Sequence, residues 1–543
     1  MIKRALIYVE NTENILDLAK YLDSENWTIF SAGRTEDLLR KNKINVKYES
    51  ALDESIKYTN DFALLTKQIA ETIVDVEDEL LKARAPQDYG YSLICINTRP
   101  SLEIGISENQ YKTYTKAKNF YLSAILRLAF SNYENVLILT DPQDYKEAIV
   151  QLKVNDISNE FRTYLAAKAL NLVSAYDAGI SATLLRSKNI DQKFLNYMTI
   201  PFIKESSVIQ GVNPQQQACL YKYPYDIGAS SGLSKIPSKD LSYNLVSDVS
   251  KAWELISTLY TNLKNQYTVQ SINKDGYKFT TQFTPLTGTV FTIAIKFGLI
   301  IGAALSTNVL DSFKNTYTYD KEYITDVVLG CSAVIDESAA REIVKGSFIA
   351  IIAPSFTPEA KEILEESKKI RLVPTSKVNL TEKDGKIING GILVQTTDKT
   401  LFECWHVRTN NRPTQQITDE MAFGMLLTLK AHSYSAILIK KNHIVGIAQS
   451  CTSCEKAISE ALAQAKITAE TYKEENEEKY ESIADILVCG SPITFTDSVK
   501  NLIDSGLYGI IQTGGTNTDE EFIKYCDERG LVMVFTNMTH YNY

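Results

Sequence analysis

The chain has 543 residues, 44% hydrophobic and 23% charged, with 24 Gly and 13 Pro. At roughly 100–200 residues per domain this implies three or four domains, and the mixture excludes a mostly disordered or fibrous chain. A total of 57 Lys and Arg against 66 Asp and Glu leaves a net charge of −9. That balance lacks long single-sign blocks, so it argues against a basic nucleic-acid binder while leaving anionic small molecules open as ligands.

The opening MIKRALIYVENTENI has neither the apolar core nor the cleavage site of an export signal. Short β-branched runs then alternate with helical periods. Ala5 to Val9 predicts a strand, and Ile15, Leu16, Leu18, Ala19 and Leu22 follow at helical spacing. Trp27 to Phe30 is the next strand, running into Ser31-Ala32-Gly33, with a short helix over Thr35 to Lys41 and a third strand over Ile44 to Tyr48. Tyr91 to Asn97 and Val136 to Thr140 add two more around a helix near Lys116 to Ser131, and a long helix covers Ser158 to Leu185. Such alternation predicts a parallel sheet covered by helices. Pro201 and the polar Lys204 to Ser207 interrupt both periods and set a boundary near 190–207. The longest apolar run, Ile293 to Leu305, is broken by Lys296, Gly298 and Gly302 and is too short to cross a bilayer. Eight scattered Cys imply reduced thiols in a cytoplasmic protein, and four His leave little room for a His-rich metal site.

An internal repeat organises the remainder. Ile293-Ala-Ile-Lys296-Phe-Gly-Leu-Ile-Ile-Gly302 is matched by Ile437-Leu-Ile-Lys440-Lys-Asn-His-Ile-Val-Gly446. Each copy reads as strand, tight turn, strand, followed by a helical stretch (Val309 to Phe313; Ala457 to Ala465), and Lys296 and Lys440 fall at equivalent places. A period this long implies two duplicated α/β units, 208–365 and 366–543, after an N-terminal domain over 1–190.

Three motifs bear on chemistry. Ser31-Ala-Gly33-Arg34-Thr35 sits between a strand and a helix, where small residues let backbone N–H groups and hydroxyls approach a phosphate; a plain turn with Thr35 as helix cap is the other reading. Gln512-Thr-Gly514-Gly515-Thr516 precedes a helix in the same way, but Asp519-Glu520-Glu521 favours capping by the protein's own carboxylates. Cys451-Thr-Ser-Cys454 has the spacing of a zinc half-site or redox pair, yet no second close pair completes four ligands, so buried or partly exposed thiols are expected and no metal. Lys296, inside an apolar hairpin, either snorkels to the surface or is held for ligand charge or proton transfer.

With these residues in view, the chain resembles the family of bifunctional purine-biosynthesis enzymes that are both AICAR transformylase and IMP cyclohydrolase. The similarity is carried by Phe495-Thr-Asp497 through Gly506, Ile511-Gln-Thr-Gly514-Gly515-Thr, Asp527-Glu-Arg-Gly to Met538, Asn389-Gly390-Gly391-Ile-Leu-Val394, Ile351-Ile-Ala-Pro354, Gly211-Val-Asn213-Pro214-Gln-Gln216, Leu139-Thr-Asp141-Pro142-Gln-Asp144-Tyr145 and Ala175-Tyr176-Asp177, in one collinear order. It implies an N-terminal methylglyoxal-synthase-like parallel-sheet domain and two cytidine-deaminase-like α/β units. It also implies formyl transfer from 10-formyltetrahydrofolate to AICAR at a dimer interface, then ring closure to IMP. The implied partners are a purine nucleotide, a folate and a second copy of the chain, with no nucleic acid and no membrane.

The family's functional positions are largely replaced. Its transformylase Lys-His pair reads Lys296-Phe297, its phosphate-binding arginines fall on Ile209 and Thr539, and its Asn in the second repeat falls on Tyr434. The early phosphate loop reads Tyr8-Val9-Glu10-Asn11-Thr12, and further cyclohydrolase residues fall on Arg99, Asn119 and Ser131. What the resemblance leaves as site residues is Lys296 as the one retained catalytic group, with Ser31, Gly33, Arg34, Thr35, Asn213, Asn389, Gly390, Gly514 and Gly515 around ligand. It implies a family member with impaired or lost activity, or a non-catalytic paralogue that senses nucleotide or folate or serves as a scaffold.

Overall fold

Two kinds of sheet follow from two hydrophobic patterns, in two units: residues 1–203 with 222–225, and residues 204–221 with 226–543. The computed structural model describes residues 3–49, 91–97, 120–187, 194–224, 227–262, 267–272, 278–284, 286–318, 325–378, 381–402, 405–476 and 482–543.

In the first unit, strands β1 (Arg4–Val9), β2 (Thr28–Ser31), β3 (Val46–Tyr48), β4 (Leu93–Asn97) and β5 (Leu137–Leu139) form a sheet of order β3-β2-β1-β4-β5, every pairing parallel. Both faces of β1 and β4 are buried, which is why they read as unbroken apolar runs. Ala5, Ile7, Val9, Leu93 and Cys95 point to helices α1 (Ile15–Ser24) and α4 (Tyr145–Lys153). Leu6, Tyr8, Ile94 and Ile96 point to α3 (Phe120–Ser131) and α5 (Asn159–Ser187). The remaining helix, α2 (Gly33–Lys41), follows β2 and starts two residues before the predicted Thr35. The order reverses direction between β1 and β4, and in open α/β sheets the strand ends at such a point form the ligand crevice.

The second unit is built on one sheet of thirteen strands. The strands of the first repeat are β10 (Val290–Lys296), β11 (Leu299–Ser306), β12 (Thr325–Cys331), β13 (Ser347–Ala353) and β14 (Arg371–Pro374). Those of the second are β18 (Ala436–Lys440), β19 (His443–Ala448), β20 (Ile486–Val488), β21 (Gly509–Gln512) and β22 (Val532–Phe535). The order β14-β13-β12-β10-β11-β19-β18-β20-β21-β22 reads the same outward from the antiparallel β11–β19 seam, where Ala304 faces His443. Beyond β22 lie β17 (Trp405–Val407), β8 (Tyr267–Ile272) and β9 (Lys278–Phe283). Two ribbons stand outside this sheet, β6 (Ile203–Val208) with β7 (Ala218–Lys222), and β15 (Lys383–Ile388) with β16 (Gly391–Thr396).

The two sets of strands match down to single residues. Both hairpins slip register by one residue, at Ala294/Ile295 and at Leu438/Ile439. Both turn on two residues with positive φ, Phe297 and Gly298 in one, Lys441 and Asn442 in the other, as the twist of a two-residue hairpin requires. Helices pair off likewise: α6 (Tyr243–Asn262) with α10 (Gln415–Thr428), α7 (Val309–Thr318) with α11 (Cys454–Asn476), α8 (Glu337–Ile343) with α12 (Asp497–Asp504), and α9 (Pro358–Glu366) with α13 (Asp519–Glu528). Val249, Ala252, Trp253, Ile256 and Leu259 of α6 recur at helical spacing and bury against Ile293, Ile295 and Val328. Gly302 and Gly446 are the close contacts of α7 and α11 with their hairpins. A Cβ on Gly302 would stand 2.6 Å from the Thr316 carbonyl oxygen, and one on Gly446 2.2 Å from that of Ala461.

Candidate functional site

At the crevice of the first unit, the hydroxyls expected to hold a phosphate are spent on the sheet. Ser31 Oγ donates to the Ile7 carbonyl at 2.7 Å; Thr35 Oγ1 accepts from the Val9 N–H at 3.0 Å and donates to the Val9 carbonyl at 3.1 Å. Both residues are buried, at 0% and 2% exposure. Thr35 is not the helix cap, since Ala32 holds that position without a side-chain bond. Gly33 and Arg34 remain exposed at the crevice rim. Asn97, at the end of β4, organises the loop after β1: its Oδ1 accepts from Glu10 and Asn11 N–H groups at 2.8 and 2.9 Å, and its Nδ2 donates to Tyr145 Oη at 3.1 Å. A lone Asn ending an apolar strand was the available signal. Lys168 spans Asp141 and Asp144 at 2.7 and 2.8 Å.

In the second unit the two hairpin tips are each held by an acid from the helix beneath. Asp248 on α6 accepts from the Phe297 and Gly298 N–H groups at 2.9 and 2.7 Å; Glu420 on α10 accepts from the Asn442 N–H at 3.1 Å. The matched lysines diverge beyond their shared register. Lys296 lies half-buried and donates to the Thr325 carbonyl at 2.8 Å, a snorkelling geometry. Lys440, 4% exposed, is enclosed by Ser482 at 2.7 Å and Asp485 at 3.1 Å.

Burial first, and then the Asp485 charge, push the Glu420 carboxyl up to about 7, while burial pulls His443 beside it down to about 4. The signs oppose. Folded Glu420 keeps a proton that the unfolded chain releases above about pH 4.5, so its contribution to stability declines as pH rises from there to about 7. His443 instead withholds stability as pH falls from 6.5 towards 4. Glu420→Gln keeps an acceptor for Asn442 and removes the charge. It should stabilise the protein by about 3 kcal/mol at pH 8, with the gain largely gone at pH 4.5. Urea melts at the two pH values check this, and a gain independent of pH contradicts it.

The strand ends of the second repeat gather thiols and amides. Cys451 and Cys454 are both buried but face different partners: Cys451 Sγ donates to Glu460 at 3.2 Å, whereas Cys454 sits beside Cys489, 35 positions along the chain. The Cys489 thiol lowers the Cys454 pKa, while its own is raised by Cys454 and by burial. Among the described residues no cluster of three His, Cys, Asp or Glu is placed to hold a metal. Gln512, fully buried, accepts from the Ile493 N–H at 2.6 Å, leaving its Nε2 without a partner. The Gly515 N–H donates to Asp519 at 2.7 Å and Thr516 Oγ1 to the same carboxylate at 2.5 Å, so a ligand anion at Gly514-Gly515 would displace a protein acid.

Asn213 closes the loop after β6 through Gln216 Oε1, its N–H donating at 3.0 Å and its Nδ2 at 3.2 Å. Asn389 and Gly390 form the turn of the β15–β16 ribbon, with Gly390 at φ +82°. These two sites and Gly514-Gly515 are separate turns in the fold.

A family model described as AICARFT/IMPCHase bienzyme matches residues 129–464, more than half of the chain. The chain belongs to the AICARFT/IMPCHase bienzyme family. Among its relatives, the bifunctional purine biosynthesis protein PurH of Brachyspira hyodysenteriae is 28% identical over 553 residues, and that of Clostridium acetobutylicum 27% over 555, with 100% of both chains covered in each case. A solved structure, the crystal structure of ForH, is similar at 23% identity over 33% of this chain and 97% of its own, with a TM-score of 0.28.

Of the positions that the resemblance singled out in the second unit of this AICARFT/IMPCHase family member, three are exposed and one is partly buried. Phe297 is 71% exposed and Ile209 61% exposed; Thr539 is exposed; Tyr434 packs its ring edge on Tyr541 at 5.6 Å between centroids. In the first unit, Tyr8 is buried in the core, and Ser131 Oγ donates to the Leu128 carbonyl at 2.7 Å. Arg99 and Asn119 lie outside the described residues. Among the described residues no helix is long and apolar enough to cross a membrane.

Proposed function

We propose that this family member keeps the family scaffold and its ligand classes, a purine nucleotide of the AICAR or IMP kind and a folate, while running neither 10-formyltetrahydrofolate-dependent formyl transfer nor ring closure at an enzyme's usual rate. The observation that carries this reading is the β10–β11 tip, where an exposed phenyl ring stands in the place of the family's histidine and Lys296 is engaged with a main-chain carbonyl. A phenyl ring neither accepts nor donates a proton. Lys296 remains the catalytic candidate, and Gly33, Arg34, Asn213, Asn389, Gly390, Gly514 and Gly515 the candidate ligand contacts, while Ser31 and Thr35 shape the Gly33-Arg34 turn from beneath through their bonds to Ile7 and Val9. The domain reading is a methylglyoxal-synthase-like domain over 1–190 and two cytidine-deaminase-like units over 208–365 and 366–543. The five-stranded parallel order and the mirrored strand order support it.

A second reading, a non-catalytic scaffold or sensor working in the cytoplasm as a homodimer, draws on the β15–β16 ribbon. There Ile387 is 85% exposed and Leu393 61% exposed, apolar surface of the kind a partner copy covers. A coupled assay for AICAR formylation and IMP formation should give no product above background; turnover near about 1 per second overturns the first reading. Light scattering on the same sample should give about twice 60.9 kDa, and a 60.9 kDa species at micromolar concentration overturns the dimer.

A further inference from the structure

Three basic side chains gather beneath the β10–β11 tip. Lys251 of α6 donates from Nζ to the Gly298 carbonyl. His432, just past α10, lies so near that a side chain begun at Gly298 would meet its Nε2 at 3.9 Å. Lys430 is ion-paired with Glu254 at 2.7 Å, with side chains 15% and 26% exposed. The acids facing this space are both engaged, Glu254 with Lys430 and Asp248 with the two N–H groups of the turn. Among the described residues, the His432 ring makes no hydrogen bond. Burial and then Lys430 pull Lys251 down to about 8, and burial and then Lys251 lower His432. Like charges held together in a half-buried place cost free energy that an oxyanion between them offsets.

We propose that Lys251, Lys430 and His432 form a binding site for a small oxyanion, with the phosphate of a nucleotide as the chemistry that fits. The nucleotide part rests on the functional reading above, through two tethers. The tail bearing Thr539 is tied here, since Asn542 Nδ2 donates to the Lys430 carbonyl at 3.0 Å and the Ser433 N–H to the Asn542 carbonyl at 2.9 Å. The loop after Ile209 is tied to the start of α6, where the Tyr243 N–H donates to the Gln210 carbonyl at 3.2 Å. The tail that carries Thr539 therefore borders the Lys430–Ser433 segment, and the loop after Ile209 borders the first turn of α6, the helix that carries Lys251. The cations have been moved, on this proposal, rather than lost.

The chain has four histidines, so the His432 ring can be followed by NMR while inorganic phosphate is titrated into the full-length protein, with His432→Gln giving the assignment. Phosphate should raise the His432 titration midpoint by about half a unit or more, since an anion favours the imidazolium. Lys251→Gln should weaken phosphate binding about tenfold or more, and Lys251→Arg should restore it. Lys430→Gln, with folding checked by thermal melt, should weaken binding as well. AICAR that competes with phosphate and loses affinity in Lys251→Gln supports the nucleotide source; a folate that does so instead points to a carboxylate. Phosphate binding with no competition from AICAR keeps the anion site and removes the nucleotide reading. An unmoved His432 midpoint, or equal phosphate affinity in Lys251→Gln and wild type, overturns the site whatever the formylation assay gives.

Discussion

Asp485→Ala should cost the second unit about 3–5 kcal/mol, because it removes the carboxylate that pairs with the enclosed Lys440 ammonium at 3.1 Å. Lys440 is 4% exposed and Asp485 7% exposed, and the carboxylate also accepts from the Lys441 N–H at 3.2 Å and from Ser482 Oγ at 3.1 Å. One deletion therefore takes an acceptor from three donors. Replacing both partners, with Lys440→Met and Asp485→Leu together, should recover most of the loss, since a pair of apolar side chains leaves no charge to desolvate. Guanidinium melts followed by tryptophan fluorescence check this. Trp253 and Trp405 are fully buried in the second unit, whereas Trp27 reports the first. A single variant as stable as wild type, or a double variant worse than the single, contradicts the account.

Gly446→Ala should destabilise the same unit by about 3 kcal/mol or more, at the upper end for overpacking. The added methyl group would stand 2.2 Å from the Ala461 carbonyl oxygen and 3.0 Å from Ala465 Cβ, so helix α11 must shift away from β19. Backbone yields less readily than a side-chain tip. Gly302→Ala, where the obstruction is the Thr316 carbonyl oxygen at 2.6 Å, should cost somewhat less. Thermal melts of the two variants against wild type decide it. A loss under about 1 kcal/mol for Gly446→Ala would mean that the helix slides freely and that the glycine is not there for close approach.

Those two glycines show what was readable beforehand. A repeat of apolar hairpins with Lys and Gly at fixed offsets marks strand, turn and strand, and the close approach explains why the glycines recur. The parallel sheet of the first unit was readable for a related reason: strands buried on both faces must be apolar throughout, and β1 and β4 are. The destinations of side chains were not readable. Ser31 and Thr35 lie in a turn suited to phosphate, but only the placement of β1 beside them directs their hydroxyls to Ile7 and Val9. Cys454 has Cys451 as its near neighbour in sequence, and the strand-to-helix geometry turns it to Cys489 instead. Lys251 and His432 have no shared pattern at all; they meet because α6 and the end of α10 lie under one hairpin. Short strands such as β17, three residues long, carry too few positions for a period to register.

The placement of β8 and β9 has a consequence for the chain while it is being made. They precede the strands of both repeats in sequence, yet their neighbour β17 lies against β22 at the far side of the second repeat. β9 ends at Phe283 and β17 begins at Trp405, an interval of on the order of ten seconds at ribosomal speed. Through that interval the β8–β9 hairpin presents an open edge with no strand of its own chain to meet it, which is the condition under which edges recruit foreign strands. The nascent polypeptide, and any product terminated before Trp405, is thus the form of this protein most exposed to aggregation, and the strand order is complete only when its last strand, β22, has been delivered.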